Sequence, residues 1–405
     1  MSRARRVTSA IVAVAVVAGA AYGAAALLSP VPRLQAVERP IDLEASWSET
    51  LALPESGSTA ALTETGSIVS AGSADPRPIA GVAKVVLVNV VLATEPLTLG
   101  SPGPALMIDQ QAVDRYRELS AVGARTVAVG FGQTWTRHDL IAATLLGSAN
   151  NTAELLIDDV FGDLEGYLAA ANAWLADQGL EQSSVVDGTG LDAGSRSTAD
   201  ELARLGQLTI EHPVLGDLLE RRPRDTSAGV RFVDQAAFIA DAGTIGIVRS
   251  YTDAAAVCVL MIVSIAVPGV GTELVSVAML GQPSYPQAER AAREIVASLG
   301  ESVRAVEVVS AGQVVAELQS EWGQSTTLVA GSAVSVSSTD LDELSTRLEL
   351  APRSTIVRGT DAGSLVITAR GVDQVVRLTS TGGISEPGVA WRFADPVTVI
   401  QRWTR

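Results

Sequence analysis

The chain has 405 residues, of which 47% are hydrophobic and 18% charged, and its formal net charge is −16. This length favours two folded domains, and the composition is that of a globular protein, because a disordered chain would combine low hydrophobicity with high charge. The acidic balance argues against a nucleic-acid-binding protein, which needs clustered lysine and arginine to bind phosphates. We therefore expect no nucleic-acid partner.

Cysteine and histidine are too sparse for a structural metal site. Cys258 is the single cysteine, so no intramolecular disulfide can form, and it lies in the apolar run 256–263, where a buried core residue is expected. His138 and His212 are far apart in the sequence, and no Cys/His cluster has metal-ligand spacing. We expect neither a metal nor another cofactor.

The N-terminus combines cations with a long apolar run. Arg3, Arg5 and Arg6 precede the apolar residues 7–28, a pattern typical of an export signal or of an uncleaved signal anchor. The positive-inside rule would keep the arginines in the cytoplasm and place the rest outside. Small residues at 20–26 leave cleavage open, but we favour an anchor. The prediction is a single-pass cell-membrane protein with its body on the extracytoplasmic side.

The composition and the apolar pattern of the sequence predict four regions. Residues 1–28 form the anchor, and residues 29–46, which include three prolines, are predicted to be a linker. Residues 47–300 form the main domain. Its predicted helices lie at 79–93, 164–179 and 285–299, on either side of 147–151, and after a cap at Ser197. Two central strands are predicted in 245–267. Alternation and short turns at 305–318 and 364–378 predict hairpins, so residues 301–405 are expected to form a small all-β domain.

Four segments in chain order carry the functional signal. They read Pro-Ile-Ala-Gly-Val-Ala-Lys at 78–84, Gly-Ser-Ala-Asn-Asn at 147–151, Asp-Gly-Thr-Gly-Leu at 187–191 with Ser-Thr-Ala at 197–199, and Gly-Ile-Val-Arg-Ser-Tyr-Thr-Asp-Ala-Ala at 246–255. They resemble motifs of the D-alanyl-D-alanine carboxypeptidases of the penicillin-binding-protein superfamily: Pro-Ile-Ala-Ser-x-x-Lys, Ser-x-Asn, Ser-Gly-Leu with Ser-Thr-Ala, and Gly-Ile-Lys-Thr-Gly-Tyr-Thr-Asp-Ala-Ala. The resemblance covers roughly residues 51–299.

The resemblance implies an α+β fold of the β-lactamase and transpeptidase type. A sheet is expected to be flanked by helices on both faces, with a helical subdomain and a cleft between this subdomain and the sheet edge. A small β domain often follows the peptidase domain in the family, and the β-rich tail of this chain agrees with that arrangement.

The chemistry of the family requires groups that this chain lacks. The reaction is acyl transfer through a serine ester, and Ser-x-x-Lys on a helix places the hydroxyl beside an amine, because positions i and i+3 share a face. Here Gly81 stands at the nucleophile position, whereas Lys84 is kept. The Lys-Thr-Gly triplet reads Val248-Arg249-Ser250, and Lys84 is the only lysine of the chain, so no other alignment recovers a second one.

The remaining candidate residues have both functional and structural interpretations. Ser148 and Asn150 match the middle motif and either contact substrate or cap a loop. Lys84 either binds a ligand or is a buried amine held by Ser148 and Asn150, so we expect these three side chains within hydrogen-bond reach of one another. Arg249, with Ser250, either faces the cleft and binds a substrate carboxylate or is a solvated strand residue.

Three functions remain open from the sequence. The first is a degenerate carboxypeptidase that binds peptidoglycan stem peptides, or a cell-wall protein, without cleaving them. The second is an active D-alanyl-D-alanine carboxypeptidase with an unorthodox nucleophile. The third is a structural envelope protein whose old cleft is empty. The absence of serine at position 81 favours the first over the second, and a convergence of Lys84, Ser148 and Asn150 would favour the first over the third.

Overall fold

The structure is a computed structural model that describes residues 3–41, 47–49, 51–239, 243–393 and 396–404. Its helices are α1 (Arg3–Leu28), α2 (Ala83–Thr94), α3 (Gln110–Ala121), α4 (Arg137–Leu145), α5 (Asn150–Phe161), α6 (Leu164–Asp177), α7 (Ala199–Glu211), α8 (Pro213–Arg221), α9 (Tyr285–Ser302), α10 (Val389–Arg392) and α11 (Pro396–Thr404). Short 3-10 helices span Trp47–Glu49, Ala80–Val82 and Ser338–Glu343.

The strands are β1 (Gln35–Glu38), β2 (Ser58–Thr63), β3 (Ile68–Ala71), β4 (Arg77–Pro78), β5 (Ala105–Met107), β6 (Thr134–Thr136), β7 (Arg196–Ser197), β8 (Thr244–Thr252), β9 (Ala256–Val267), β10 (Gly271–Gln282), β11 (Ala305–Val309), β12 (Val314–Gln319), β13 (Ser325–Ala330), β14 (Val334–Ser337), β15 (Ser345–Leu350), β16 (Asp361–Ala369) and β17 (Val372–Ser380). The chain divides into two compact units. The larger unit comprises Ala45–Ala305 and Ser337–Asp342, and the β-rich unit comprises Met1–Glu44, Val306–Val336 and Glu343–Arg405.

An antiparallel sheet in the order β3-β2-β10-β9-β8 forms the centre of the larger unit. Because successive strand residues face opposite sides of a sheet, β9 contributes to two separate cores. Cys258, Leu260 and Ile262 join the core built on α2, α4 and α7, whereas Val257, Val259 and Met261 join the core built on α9. The sheet is therefore covered by helices on both faces, which confirms the predicted α+β fold.

The prediction of two central strands in 245–267 was partly wrong. β9 lies inside the sheet, but β8 is its edge, and the middle strand is β10, between β2 and β9. The sequence does not predict β10, because Glu273 and Ser276 interrupt its apolar pattern. Both residues are nevertheless buried.

The buried helix predicted at 79–93 is present as α2, preceded by the 3-10 turn Ala80–Val82. Its residues from Ala83 to Leu92 are all buried. Asn89 is tolerated there because its amide donates hydrogen bonds to the Val85 carbonyl at 2.8 Å and to Thr209 Oγ1 at 2.9 Å. Lys84 is one of the buried residues of this helix.

The N-terminal cap of α7 differs from the prediction. Thr198, not Ser197, is the cap, and its hydroxyl accepts a hydrogen bond from the Glu201 amide at 3.2 Å. Ser197 lies one residue earlier in β7, where its hydroxyl pairs with that of Ser183 at 2.7 Å. The Ser-Thr-Ala segment therefore supplies the cap through its threonine.

The β-rich unit contains an antiparallel sheet in the order β1-β12-β13-β17-β16-β15. The predicted hairpin at 364–378 is confirmed, since β16 and β17 pair around Arg370 and Gly371, whose φ angles of 53° and 69° make a tight left-handed turn. The hairpin predicted at 305–318 is wrong, because β11 pairs with β14 whereas β12 pairs with β1 and β13. Both hydrogen-bonding edges of β12 are thus occupied by other strands.

Part of the predicted linker is structured. Residues of β1 pair with β12, with Gln35 opposite Gln319 and Glu38 opposite Ala316. The backbone of this segment satisfies its hydrogen bonds in the sheet instead of in water, so it is not a free spacer. The last residues of the predicted linker, 42–46, lie outside the described residues.

Among the described residues, one helix is long and apolar enough to cross a membrane, namely α1 over Val7–Leu28. At 1.5 Å per residue, this run is about 33 Å long, which matches a bilayer core of about 30 Å. Most of its side chains are exposed and do not pack against other parts of the protein.

Candidate functional site

Gly81 lies where the first and fourth motifs meet. It belongs to the 3-10 turn before α2, and its backbone N–H donates a hydrogen bond to Ser250 Oγ of β8 at 3.0 Å. A Cβ placed on Gly81 would lie 2.6 Å from Ser250 Oγ and 3.4 Å from Lys84 Nζ. The space that a side chain at position 81 would need is therefore filled by the hydroxyl of Ser250.

The third motif packs against this turn through a glycine. A Cβ on Gly190 would lie 1.6 Å from the Ala80 carbonyl oxygen, and its φ is +76°, so a side chain at 190 is excluded both by space and by backbone conformation. Ala80 itself has a φ of 48°, which is rare for a residue with a side chain. The close approach of these two backbones brings the loop 187–191 next to Lys84.

Lys84 is buried and bonds to this loop. Its ammonium donates to the Thr189 carbonyl oxygen at 2.7 Å. Burial lowers the pKa of Lys84 from 10.5 to about 7, the carboxylate of Asp187 opposes this shift, and the Arg125 guanidinium adds to it. Burial thus shifts the lysine of the first motif toward its neutral form, compared with a lysine in water.

Asp187 organises the loop that holds Lys84. Its carboxylate accepts hydrogen bonds from Thr189 Oγ1 at 2.6 Å, from Ser195 Oγ at 2.7 Å and from the Leu191 amide at 2.9 Å. The sequence singled out this segment by its resemblance, but it gave no role to Asp187 or Thr189. The sequence feature that could have indicated their role is an acidic residue two positions before a hydroxyl residue in a glycine-rich turn.

Ser148 lies between α4 and α5, as the Ser-x-Asn match predicted, and Asn150 is the first residue of α5. Ser148 has a left-handed φ of 51°, and the backbone N–H of Asn150 donates to the Arg125 carbonyl at 2.8 Å. Both residues are buried, and Asn150 Oδ1 accepts no hydrogen bond from any described protein group.

The expected hydrogen bonds from Lys84 to Ser148 and Asn150 are not found. Within the described residues, the hydrogen bond of Lys84 goes to the Thr189 carbonyl alone. The physical reason is the close packing of the loop at Gly190, which presents a backbone acceptor to the amine. The unpaired Oδ1 of Asn150 shows that this acceptor is not used by Lys84.

Arg249 does not lie beside Gly81. Its guanidinium forms an ion pair with Glu289 of α9 and lies 4.9 Å from the ring centroid of Tyr285 and 5.3 Å from that of Phe238. Neighbouring strand residues face opposite sides, so when Ser250 faces Gly81, Arg249 faces α9. The expectation that Arg249 binds a substrate carboxylate at this site therefore disagrees with the structure.

A cavity of about 1050 Å³ is lined in part by residues of the loop 187–191. Asp187, Gly188 and Thr189 belong to its lining, and most of its other charged lining residues are carboxylates of α3 and α5. Burial and neighbouring carboxylates raise the pKa of one of these, Asp158. Gly81, Lys84, Ser148, Asn150 and Ser250 are not among its lining residues.

Residues 56–282 match the family described as D-alanyl-D-alanine carboxypeptidase, peptidase family S11. This match spans more than half of the chain, and it contains the turn at Gly81, the Ser-x-Asn loop and β8. The chain belongs to this family.

Curated relatives are similar over part of their length. The D-alanyl-D-alanine endopeptidase of Escherichia coli is 29% identical over 147 residues, covering 36% of this chain and 44% of that protein. The enzyme of the same name from Pseudomonas aeruginosa is 29% identical over 138 residues, covering 34% and 41%. The chain thus spans less than half the length of these relatives.

Solved structures share the fold at low sequence identity. The D-alanyl-D-alanine carboxypeptidase DacD of Francisella tularensis has a TM-score of 0.54 at 16% identity and covers 87% of this chain and 97% of its own. Penicillin binding protein 6B of Escherichia coli has a TM-score of 0.56 at 17% identity, with coverages of 84% and 97%. These similarities support the peptidase-like fold followed by a β domain.

Proposed function

We propose that this protein is a non-cleaving member of the D-alanyl-D-alanine carboxypeptidase family that binds peptidoglycan stem peptides, or a cell-wall protein, on the extracytoplasmic side of the membrane. The observation that carries the proposal is the exchange at the nucleophile position. Gly81 has no side chain, and the hydroxyl of Ser250 fills the adjoining space. No acyl-enzyme can form at position 81.

The remaining groups are not arranged as a nucleophile and its base. An activated serine needs a hydrogen bond to the base that takes its proton. In this structure Ser250 Oγ accepts from the Gly81 amide, and Lys84 donates to the Thr189 carbonyl. The lowered pKa of Lys84 shifts its amine toward the neutral form, but the amine is not hydrogen-bonded to a hydroxyl that it could deprotonate.

Two features favour ligand binding over a purely structural role. Asn150 Oδ1 is a buried acceptor without a protein partner, which is costly unless another group supplies a donor. The cavity beside Thr189 has the size of a ligand pocket. Four of its carboxylates pair with arginines, so Asp109 and Asp158 are the lining carboxylates that favour a ligand with a cationic group.

The experiment is to titrate the purified full chain with a stem-peptide mimic that ends in D-alanyl-D-alanine and to assay the same sample for D-alanine. The proposal predicts saturable binding without release of D-alanine. Release at a rate near that of an active family member would contradict it, and the absence of binding would rule out the stem peptide and leave a cell-wall protein or the structural role.

The helix α1 is proposed to be a retained anchor. Trp403 and Arg392 donate hydrogen bonds to carbonyl oxygens of its last turns, and cleavage of a signal peptide would remove these partners. The intact mass of the protein extracted from membranes tests this directly, because cleavage near residue 26 would remove α1 from the mass.

A second candidate function is a hydrolase that uses Ser250 as its nucleophile. The observation in its favour is that Ser250 Oγ and Lys84 Nζ both lie within 3.4 Å of the same point, the Cβ position of residue 81. The variant Ser250→Ala separates the two candidates. This second function predicts that a labelled penicillin acylates the wild type but not the variant, whereas the non-cleaving function predicts that it acylates neither.

A further inference from the structure

Arg125 connects the two sides of the expected cleft. It lies in the segment between α3 and β6, and its backbone carbonyl accepts the hydrogen bond from the Asn150 N–H at 2.8 Å. Its guanidinium reaches the edge strand β8, where Nη1 donates to the Arg249 carbonyl at 3.0 Å, and Nη2 donates to the Tyr285 hydroxyl at 3.0 Å. The cation therefore stands between the Ser-x-Asn segment and the sheet edge.

No carboxylate neutralises Arg125 within the part of the chain that the structure describes. The neighbouring Arg249 pairs with Glu289 of α9, whereas both hydrogen bonds of the Arg125 guanidinium go to neutral groups. The charge of Arg125 acts on the site, because it lowers the pKa of Lys84. A half-buried cation without a counter-ion is costly, so this position favours an anionic ligand.

The guanidinium of Arg125 is held in place and keeps free donors. An arginine side chain carries five N–H groups in a planar fork, and the two hydrogen bonds of Arg125 use one on each terminal nitrogen. The remaining donors can bind both oxygens of a carboxylate, which is the geometry that arginine favours. Because the side chain is already fixed, a carboxylate that binds it restricts it little further.

The surroundings of Arg125 suit the end of a peptide. Asn150, whose N–H is bonded to Arg125, has a buried Oδ1 that accepts no hydrogen bond from the described residues. The last residue of a peptide carries a backbone N–H as well as the terminal carboxylate, so it offers both a donor and an anion. Beside β8 the protein surface is open, since Tyr251 is 48% exposed and its ring centroid lies 6.4 Å from that of Tyr285.

We propose that Arg125 binds the terminal carboxylate of the peptide ligand and makes a free C-terminus the main determinant of specificity. The sequence predicted this role for Arg249, which instead faces α9 and pairs with Glu289. The inference deepens the proposed function and rests on it, with the stem peptide as the ligand. The site thus keeps a cation for its ligand, although Val248 stands where the family motif has lysine.

The test measures the binding of two peptides to the purified full chain in detergent by isothermal titration calorimetry. The peptides are diacetyl-L-lysyl-D-alanyl-D-alanine and the same peptide with an amidated C-terminus, which removes the charge of the carboxylate. Each is titrated into the wild type, Arg125→Gln, Arg125→Lys and Arg204→Gln. Arg204 is a matched control because it is an exposed arginine of α7 that pairs with no carboxylate among the described residues.

The proposal predicts that the wild type and Arg204→Gln bind the free acid at least about tenfold more tightly than the amide, as expected for a charge-assisted contact. Arg125→Gln should bind the two peptides within about twofold of each other, with its affinity for the amide near that of the wild type. Arg125→Lys keeps the charge without the fork, so its preference for the acid should be intermediate.

Equal binding of the acid and the amide by the wild type would overturn the inference and leave the proposed function intact. This comparison needs no variant, so it holds even if Arg125→Gln fails to fold. A preference for the acid that persists in Arg125→Gln would assign the carboxylate to another cation and would also overturn the inference. The absence of binding of either peptide to the wild type would overturn both the inference and the stem peptide as the ligand.

Discussion

The hydroxyl of Ser250 accepts a hydrogen bond from the backbone N–H of Gly81 at 3.0 Å and occupies the space into which a side chain at position 81 would project. The family motifs that this sequence resembles carry serine where this chain has Gly81, and glycine where it has Ser250. In this chain the two residue types are exchanged between the start of α2 and the edge strand β8. The side-chain oxygen therefore comes from the strand instead of the helix.

The exchange predicts that positions 81 and 250 are energetically coupled. Gly81→Ser alone should lower the free energy of unfolding by about 1–3 kcal/mol, because its Cβ would lie 2.6 Å from Ser250 Oγ and overpack the site. Adding Ser250→Gly removes the clash. Urea unfolding of both single variants and of the double variant measures the coupling, and the double variant should be more stable than the sum of the single effects. Additivity within about 0.5 kcal/mol would show that the positions are independent.

Peptidase activity should not return with Gly81→Ser. The variant regains a hydroxyl, but Val248 still replaces the lysine of the Lys-Thr-Gly triplet in the fourth motif, and loss of a positioned charge typically costs about 10²–10³-fold in rate. D-alanine release from a stem-peptide mimic is the measurement, with Gly81→Ser/Ser250→Gly assayed in parallel to remove the steric effect. A rate in either variant near that of an active family member would show that the missing lysine is dispensable.

Lys84 should make stability rise with pH above neutrality. Its folded-state pKa of about 7 lies below its ordinary value of 10.5, so between these values the unfolded chain binds a proton that the folded chain does not. Stability then increases with pH by up to about 1.4 kcal/mol per pH unit from this group.

The apolar variant Lys84→Met supplies the control for this pH effect. It should lose the increase between pH 7 and pH 9, which urea unfolding at the two pH values will show. An equal pH dependence in the wild type and the variant would mean that Lys84 is charged in the folded protein at both values.

Asp187 is predicted to hold the loop that contacts Lys84. Asp187→Asn weakens the hydrogen bonds from Thr189, Ser195 and Leu191, and it should lower the free energy of unfolding by about 1–3 kcal/mol. Asp192→Asn is the matched control, because Asp192 is exposed and its side chain accepts one hydrogen bond, from the Gly194 amide. Equal stabilities of the two variants would contradict the role of Asp187.

The sequence predicted the parts of the fold that depend on local patterns. The apolar run of α2, the hairpin at Arg370 and Gly371, and the order of the motifs were all readable from residue type and spacing. The edge position of β8 and the pairing of β1 with β12 were not, because strand partners are chosen by contacts distant in sequence.

The sequence predicted candidate residues for the site but not their contacts. Gly81, Lys84, Ser148 and Asn150 were identified by resemblance alone. The acceptor of Lys84 is a backbone carbonyl, that of Thr189, and a backbone group leaves no trace in a side-chain motif. Arg249 faces α9 because of strand alternation, which could have been anticipated once Ser250 was assigned to the site.

The most direct test of the non-cleaving assignment is covalent labelling of the wild-type full chain by a fluorescent penicillin, read on a denaturing gel and by intact mass, with an active family member as the positive control. The account predicts no labelled band and an unchanged mass, because position 81 carries no hydroxyl and Ser250 is hydrogen-bonded to the Gly81 amide and not to Lys84. A band at stoichiometric yield, with the mass increased by one penicillin, would contradict it.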